Sequence, residues 1–187
     1  EKMGKVDTIA FDKTGTLTCG KLSVSDVLPF AETVSEEELL QIVASAEARS
    51  EHPLGKAIVA HAKAQDVALA PSEDFRMTAG RGVSAKVAGR KLLCGSESYL
   101  AENGIMPEAP MREALERLRA EGKALVLAAE GERCIGALAL SDTLRPEAKA
   151  MVEHLHAMDV CTVLLTGDNK EAAAYFASQV GIDEVHA

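Results

Sequence analysis

An aspartate near the start of the chain stands where a carboxylate could attack a phosphate. Residues 6–11 are mostly apolar and β-prone, and they predict a buried strand that ends at Asp12. Doubly wound sheets bind their ligands at the carboxyl ends of such strands. Thr14, Gly15 and Thr16 then offer hydroxyl and N–H groups for a phosphate, and a carboxylate can attack phosphorus to form a mixed anhydride. The alternative is that Asp12 only shapes a turn, the commoner role of an aspartate close to glycine.

A second turn of the same kind lies near the other end of the chain. Thr166, Gly167 and Asp168 follow a buried strand predicted for residues 161–165 and precede a helical pattern. Backbone N–H groups and the helix dipole favour an anion at such a place. The turn is therefore a second candidate for phosphate binding.

The signals for a base-binding site are weaker. His52 precedes Pro53 at the start of a predicted helix, where its backbone is restricted and its flat ring could stack on a base. A capping or exposed histidine is the commoner reading of such a position. Gly80 and Gly82 by themselves predict only the turn of a hairpin.

The composition argues against several classes of function. A formal net charge of -9 disfavours a nucleic-acid or anionic-membrane surface, and 3% aromatic residues without tryptophan disfavour a base-stacking platform. The four cysteines are too widely spaced to predict a zinc site or a disulfide framework. No apolar run is long enough to span a bilayer, and we expect no secretory leader because residues 1–5 lead directly into the first strand.

The sequence predicts both helices and antiparallel strands, in different segments of the chain. Helices are predicted after Ser35, after Pro53, around Met111 to Leu118, along an apolar stripe from Leu144 through Met151 to Met158, and after Asn169. Antiparallel-looking strands are predicted between Phe75 and Gly95 and at residues 124–128 and 133–140. Because the first strand has its natural partners beyond residue 141, we predict one domain from residues 1–22 and 142–187, with residues 23–141 inserted as a second domain.

The motifs then resemble a known family. Residues 11–18, Phe-Asp-Lys-Thr-Gly-Thr-Leu-Thr, resemble the phosphorylation motif of P-type ATPases, and residues 50–54, Ser-Glu-His-Pro-Leu, resemble the His-Pro motif of their heavy-metal (type IB) branch. Residues 142–146 resemble the hinge back to the phosphorylation domain, although Arg145 could equally be a surface ion-pairing residue. The resemblance covers essentially the whole chain. It implies an α/β, haloacid-dehalogenase-like (Rossmann-like) phosphorylation domain, truncated, with an inserted α+β nucleotide-binding domain that contains an antiparallel sheet.

The resemblance also implies roles for individual residues. It assigns catalysis to Asp12, Lys13, Thr14, Thr166, Gly167 and Asp168, and an incomplete Mg²⁺ site to Asp12 and Thr14. It implies that Glu47 and His52 contact the adenine. It also implies that Gly80, Gly82 and Gly95 let the nucleotide approach the backbone closely. ATP and Mg²⁺ are thus the implied substrate and cofactor.

The implied function is the ATP-binding and phosphorylation headpiece of an ATP-driven heavy-metal exporter that works through an aspartyl phosphate. Ala10 before Phe11 slightly favours zinc or cadmium over copper. The cation would be bound by a membrane domain, and the headpiece would lie on its cytoplasmic side. One alternative is a phosphatase of the same superfamily, disfavoured because Thr14 stands where phosphatases carry a second aspartate as acid and base. Another is a catalytically inactive nucleotide-binding module.

The family pattern continues beyond Ala187 with a catalytic lysine and a Mg²⁺-binding Gly-Asp-Gly-x-x-Asp loop. Phosphoryl transfer depends on such charge neutralisation, so we expect this chain alone to bind nucleotide and to lose most catalysis. Lys13 would offset little of that loss if its side chain faced solvent.

Overall fold

The computed structural model describes residues 6–187, which form two compact units. Residues 1–5, on which the expectation of no leader rests and which belong to the predicted segment 1–22, lie outside the described residues. The first unit contains residues up to 21 together with 117–123 and 142–187, and the second contains residues 22–116 and 124–141. Residues 117–123 thus belong to the first unit although they lie within the segment predicted as the insert. The domain assignment itself stays a prediction.

The described residues contain nine strands and six α-helices, and a π-helical turn, Lys13–Leu17, connects the first strand to the second. The strands are β1 (Thr8–Asp12), β2 (Thr18–Pro29), β3 (Ser72–Thr78), β4 (Gly82–Val87), β5 (Arg90–Gly95), β6 (Ala124–Glu130), β7 (Arg133–Leu144), β8 (Cys161–Leu165) and β9 (Glu184–His186). The helices are α1 (Glu36–Glu47), α2 (Pro53–Ala64), α3 (Glu97–Glu102), α4 (Ala109–Ala120), α5 (Ala148–His156) and α6 (Lys170–Val180).

The first unit is built on a parallel sheet in the order β1-β8-β9. Its core joins Phe11 of β1 and Leu164 of β8 to Val152 of α5 and Val180 of α6. Asn169 caps α6 by accepting a hydrogen bond from the Ala172 N–H at 2.9 Å, which sets where the helix begins. The predicted strand at residues 161–165 is confirmed.

The apolar stripe predicted from Leu144 to Met158 is wrong at its ends and on one face. Leu144 is the last residue of β7, and α5 ends at His156, before Met158. The side chains of Met151 and Met158 are 39% and 61% exposed. Apolar spacing predicted the helix correctly, but it overestimated the buried face, because apolar side chains also contribute to the surface of folded proteins.

The second unit contains a six-stranded sheet in the order β2-β7-β6-β5-β4-β3, in which the pairs from β3 to β7 are antiparallel. Strand β6 is buried on both faces: Val126 joins one core cluster and Leu127 joins the other. The first cluster includes Leu39 of α1 and Ile58 of α2, which cover one face of the sheet. A Cβ at Gly136 would lie 2.4 Å from Leu39 Cδ2, so glycine at this position of β7 lets α1 approach the sheet.

Strand β2 was not predicted from the sequence. Its twelve residues mix lysine, serine, aspartate and glycine with isolated apolar positions, and only Thr18 and Val24 are buried. This edge strand therefore lacks the alternation on which strand prediction depends.

The packing predicts a large loss of stability on truncation of the core between helix and sheet. Leu138 of β7 is fully buried in the first cluster. Leu138→Ala should lower the free energy of unfolding by about 2–5 kcal/mol, because it removes buried methyl groups and leaves a cavity. Urea denaturation followed by circular dichroism measures the change.

The matched control is Met106→Ala, since the Met106 side chain is 59% exposed. It should change the free energy of unfolding by no more than about 0.5 kcal/mol. Equal losses in the two variants would contradict the core described for the second unit.

Candidate functional site

Parallel pairing of β1 with β8 brings the two predicted phosphate turns to one edge of the first unit's sheet. Asp12 is in register with Leu165, the residue that precedes Thr166. Both strands present their carboxyl ends here, where open α/β sheets bind ligands. Asp12 is exposed at the end of β1, so its carboxylate is accessible to an incoming group.

Lys13 connects the two turns. Its Nζ forms an ion pair with the Asp168 carboxylate and lies 5.5 Å from the centroid of the Phe176 ring. The Lys13 side chain is only 16% exposed, so it does not face solvent. The expectation that Lys13 offsets little of the missing positive charge applied only to a side chain that faces solvent. A cation is thus held next to Asp12 in the sequence and bonded to the turn that follows β8.

The turn between β1 and β2 is shaped by hydrogen bonds to its own ends. Gly15 has a φ of 80°, a left-handed conformation that glycine adopts without strain. The Gly15 N–H donates to the Thr18 hydroxyl at 3.2 Å, and that hydroxyl is 2.5 Å from the Asp142 carboxylate. Thr14, which directly precedes Gly15, is exposed.

Arg145 and Asp142 support this turn in a way the sequence did not reveal. The Arg145 guanidinium donates to the Gly15 carbonyl at 3.0 Å and to the Thr18 carbonyl at 3.1 Å, and its backbone N–H donates to the Leu17 carbonyl at 3.0 Å. The alternative of a surface ion-pairing arginine does not describe these contacts. No local pattern could indicate them, because the partners lie more than a hundred residues apart.

The turn after β8 is held by its own side chain. The Asp168 N–H donates to the Thr166 hydroxyl at 3.2 Å, and Gly167 lies between the two residues. The Thr166 N–H donates to the His186 carbonyl of β9 at 3.1 Å. All six residues predicted for catalysis therefore lie at the carboxyl end of β1 or in the turns that follow β1 and β8.

The second unit contains a cleft of about 120 Å³. Its lining brings together every residue that the resemblance implied for nucleotide binding: Glu47, His52, Gly80, Gly82 and Gly95. Apolar side chains, including Leu54, Val83 and Val126, form part of the wall. A few polar groups set in an apolar wall are typical of small-molecule sites.

Glu47 is the least satisfied group in the cleft. It is the last residue of α1, its side chain is 5% exposed, and its Oε2 lacks a hydrogen-bond partner among the described residues. Burial raises the pKa of the Glu47 carboxyl, and a hydrogen bond with Ser50 partly opposes this rise. A buried acceptor without a partner is costly, so Oε2 is suited to a donor on a ligand.

Of the two roles that the sequence left open for His52, the structure shows helix capping. His52 is the N-cap of α2, and its Nδ1 accepts a hydrogen bond from the Leu54 N–H at 3.3 Å. It also lines the cleft, with its side chain exposed. Capping fixes one edge of the ring and leaves the other edge and the ring faces for a ligand.

Close strand pairing requires two of the three glycines. Gly82 and Gly95 are directly opposite each other in β4 and β5. A Cβ at Gly82 would lie 2.2 Å from the Cys94 carbonyl oxygen, and one at Gly95 would lie 2.4 Å from the Arg81 carbonyl oxygen. Gly80 differs, since its φ is 70° and a Cβ there would meet nothing within 4 Å. The backbone itself therefore accounts for two of the glycines, whether or not a ligand is bound.

The described residues, 6–187, contain no group of three or more histidine, cysteine, aspartate or glutamate side chains that could hold a metal ion. None of their helices has the length and apolar character needed to cross a lipid bilayer.

Comparison with known proteins extends the resemblance seen in the motifs. The copper-exporting P-type ATPase B of Archaeoglobus fulgidus is 39% identical over 187 residues, which are 100% of this chain and 26% of that protein. The zinc/cadmium/lead-transporting P-type ATPase of Escherichia coli K12 is 38% identical over 184 residues, which are 98% of this chain and 24% of that protein. The chain thus spans about a quarter of the length of these curated relatives. Copper and zinc transporters match almost equally well, so the comparisons favour neither metal.

The solved structures agree with the sequence relatives. The crystal structure of a zinc-transporting PIB-type ATPase in its E2.Pi state matches with a TM-score of 0.87 at 36% identity, over 97% of this chain and 29% of that chain. The predicted fold class and the predicted resemblance to heavy-metal P-type ATPases are both confirmed. A family model of haloacid dehalogenase-like hydrolases matches residues 6–186, and the chain belongs to that family.

Proposed function

We propose that this chain is the nucleotide-binding and phosphoryl-accepting part of a heavy-metal P-type ATPase, with Asp12 as the acceptor. The register of Asp12 with Leu165 carries the proposal, because it puts an exposed carboxylate beside the turn at Thr166. The ion pair of Lys13 with Asp168 adds a cation at the same edge. These groups match what transfer of a phosphoryl group to a carboxylate requires.

The proposed step is an in-line displacement at the γ-phosphorus of ATP. A carboxylate oxygen of Asp12 forms a bond to phosphorus, the bond from phosphorus to the β,γ-bridging oxygen breaks, and ADP leaves with that electron pair. Asp12 then holds the group as an acyl phosphate. Thr14 cannot act as a general base at neutral pH, so the acyl phosphate would persist, which disfavours the phosphatase alternative.

The oxygen donors at this edge fit Mg²⁺, the predicted cofactor. Asp12 and Thr14 supply hard oxygen ligands, and Mg²⁺ commonly completes its octahedron with water and with phosphate oxygens. When bound, the ion would supply charge neutralisation for the phosphates. Lys13 supplies positive charge from the protein itself, held in place by Asp168 and Phe176.

The cleft of the second unit is the proposed site of the adenine. Glu47 Oε2 lacks a partner and could accept a hydrogen bond from the amino group of adenine. The ring of His52 lies at the same cleft and could stack on the base. Apolar walls that include Leu54 and Val126 would exclude water from its faces.

For the whole protein, we propose export of a heavy-metal cation. The relatives transport copper in one case and zinc, cadmium or lead in another, and both match at similar identity. The cation would be bound by a membrane domain, and the chain described here would act on the cytoplasmic side. The proposal therefore stays at the level of a heavy-metal cation.

His52→Gln should weaken binding of ADP to the 187-residue chain. Stacking of a base on an aromatic ring contributes about 1–3 kcal/mol, so we expect at least about a fivefold rise in Kd. Calorimetric titration measures it, and the wild-type Kd should lie roughly between high micromolar and millimolar. His61→Gln, within the helix α2 that His52 caps and outside the cleft lining, is the control. An unchanged Kd in His52→Gln would remove His52 from the adenine site.

Glu47→Gln should reduce the preference for ADP over inosine diphosphate. Adenine offers an amino donor to the unpaired Glu47 oxygen, whereas the same position of hypoxanthine is an oxygen that a buried carboxylate repels. A glutamine side chain both donates and accepts, so we expect the two Kd values to differ by less than about threefold in the variant. Competition titrations compare the ligands. A preference that remains at the wild-type level would contradict the proposed contact.

Asp12→Asn in the full-length protein should abolish an acid-stable, hydroxylamine-sensitive phosphoenzyme, because an amide cannot form the mixed anhydride. Labelling with γ-labelled ATP gives the measurement. Asp7→Asn, one residue before β1 and also exposed, is the matched control and should label normally. Retained labelling in the Asp12 variant would point to another acceptor.

A further inference from the structure

The nucleotide cleft is poorly supplied with positive charge. Among the described residues that line it, Arg81 is the only lysine or arginine, and Glu47 contributes a carboxyl group. ADP and ATP carry several negative charges, and phosphate oxygens bind best to charged donors. If the cleft holds a nucleotide, its phosphate chain therefore has one permanent cation in the lining to bind.

The backbone of Arg81 is fixed at the wall of the cleft. Its N–H donates to the Thr78 carbonyl at 3.0 Å, and its carbonyl accepts from the Ser96 N–H at 2.9 Å. Arg81 stands between Gly80 and Gly82, which add no side-chain bulk on either side. Its own side chain is 50% exposed, so the guanidinium can move while the backbone stays in place.

The Arg81 guanidinium is engaged by a group outside the cleft. It forms an ion pair with Glu102, the last residue of α3, whose side chain is 52% exposed. Glu102 does not line the cleft. Ion pairs this exposed contribute little to stability, and a carboxylate at the end of a helix meets the negative end of its dipole. A phosphate chain offers the guanidinium a bidentate partner of higher charge.

We infer that Arg81 binds the phosphate chain of the nucleotide and that Glu102 competes for the same guanidinium. This inference rests on the proposed nucleotide site and assigns it a residue that discriminates nucleotides from nucleosides. In the empty cleft Arg81 is paired with Glu102, and a bound nucleotide takes over the guanidinium. The exchange makes the affinity for ATP smaller than an unpaired arginine would give.

Titration of the isotope-labelled 187-residue chain with adenosine and with ATP, followed by NMR, tests the first half. Arg81→Gln should raise the Kd for ATP about fivefold and leave that for adenosine within about twofold, because only ATP carries the phosphates. Arg81→Lys should retain part of the ATP preference through its charge. Arg76→Gln removes the same charge from an exposed position of β3 outside the cleft lining and should change neither Kd.

Removal of the competitor tests the second half. Glu102→Gln should lower the Kd for ATP about threefold without changing that for adenosine, since the guanidinium is no longer held by a carboxylate. Glu73→Gln, exposed on β3 and outside the cleft lining, controls for the general effect of charge. If Arg81→Gln raised the Kd for ATP and for adenosine equally, or if Glu102→Gln left the Kd for ATP unchanged, the inference would be overturned while the nucleotide site stands. Failure of the wild-type chain to bind either ligand would overturn the proposed site and this inference with it.

Discussion

The pairing of β1 with β8 is the constraint on which the first unit depends. It brings residues 8–12 into register with residues 161–165 across a long stretch of chain. If the intervening segment were disordered, bringing its two ends together would cost conformational entropy that grows with the length of the segment. Here the intervening chain has its own six-stranded sheet, whose strands β2 and β7 are neighbours. Because the first and last strands of the folded intervening segment are adjacent, β1 and β8 can pair at a smaller entropic cost of loop closure.

The same adjacency shapes the turn that carries Asp12. Thr18 is the first residue of β2, and Asp142 lies near the end of β7, so the pairing of these strands brings the carboxylate to the threonine hydroxyl. Arg145 follows directly and bonds two carbonyls of the turn. The conformation of the turn after Asp12 is therefore set by residues that follow the intervening segment, and not by the local sequence alone.

Interactions between residues close in the sequence could be predicted, whereas those between distant residues could not. Ser35 is predicted to precede the start of a helix, and its hydroxyl does accept the Glu38 N–H at 3.1 Å, because an N-cap contact is local. The contacts of Arg145 and Arg81 could not be predicted, since their partners are distant in sequence or determined by strand pairing. Strand β2 was missed because its burial comes from neighbours and not from its own alternation. The six predicted catalytic residues lie together at one sheet edge, and the five predicted nucleotide residues line one cleft.

The contacts that the polar side chains of the cleft already make explain why we expect the proposed nucleotide to bind weakly. Two of its polar side chains already have partners: His52 accepts from Leu54, and Arg81 is paired with Glu102. Of these groups only Glu47 has an oxygen without a partner among the described residues, and burial raises the pKa of its carboxyl group. A ligand that must replace existing partners gains only the difference between the old and new contacts. Such a site would give selectivity at modest affinity, which suits the proposed function, because in it ADP has to leave after the phosphoryl group has been transferred.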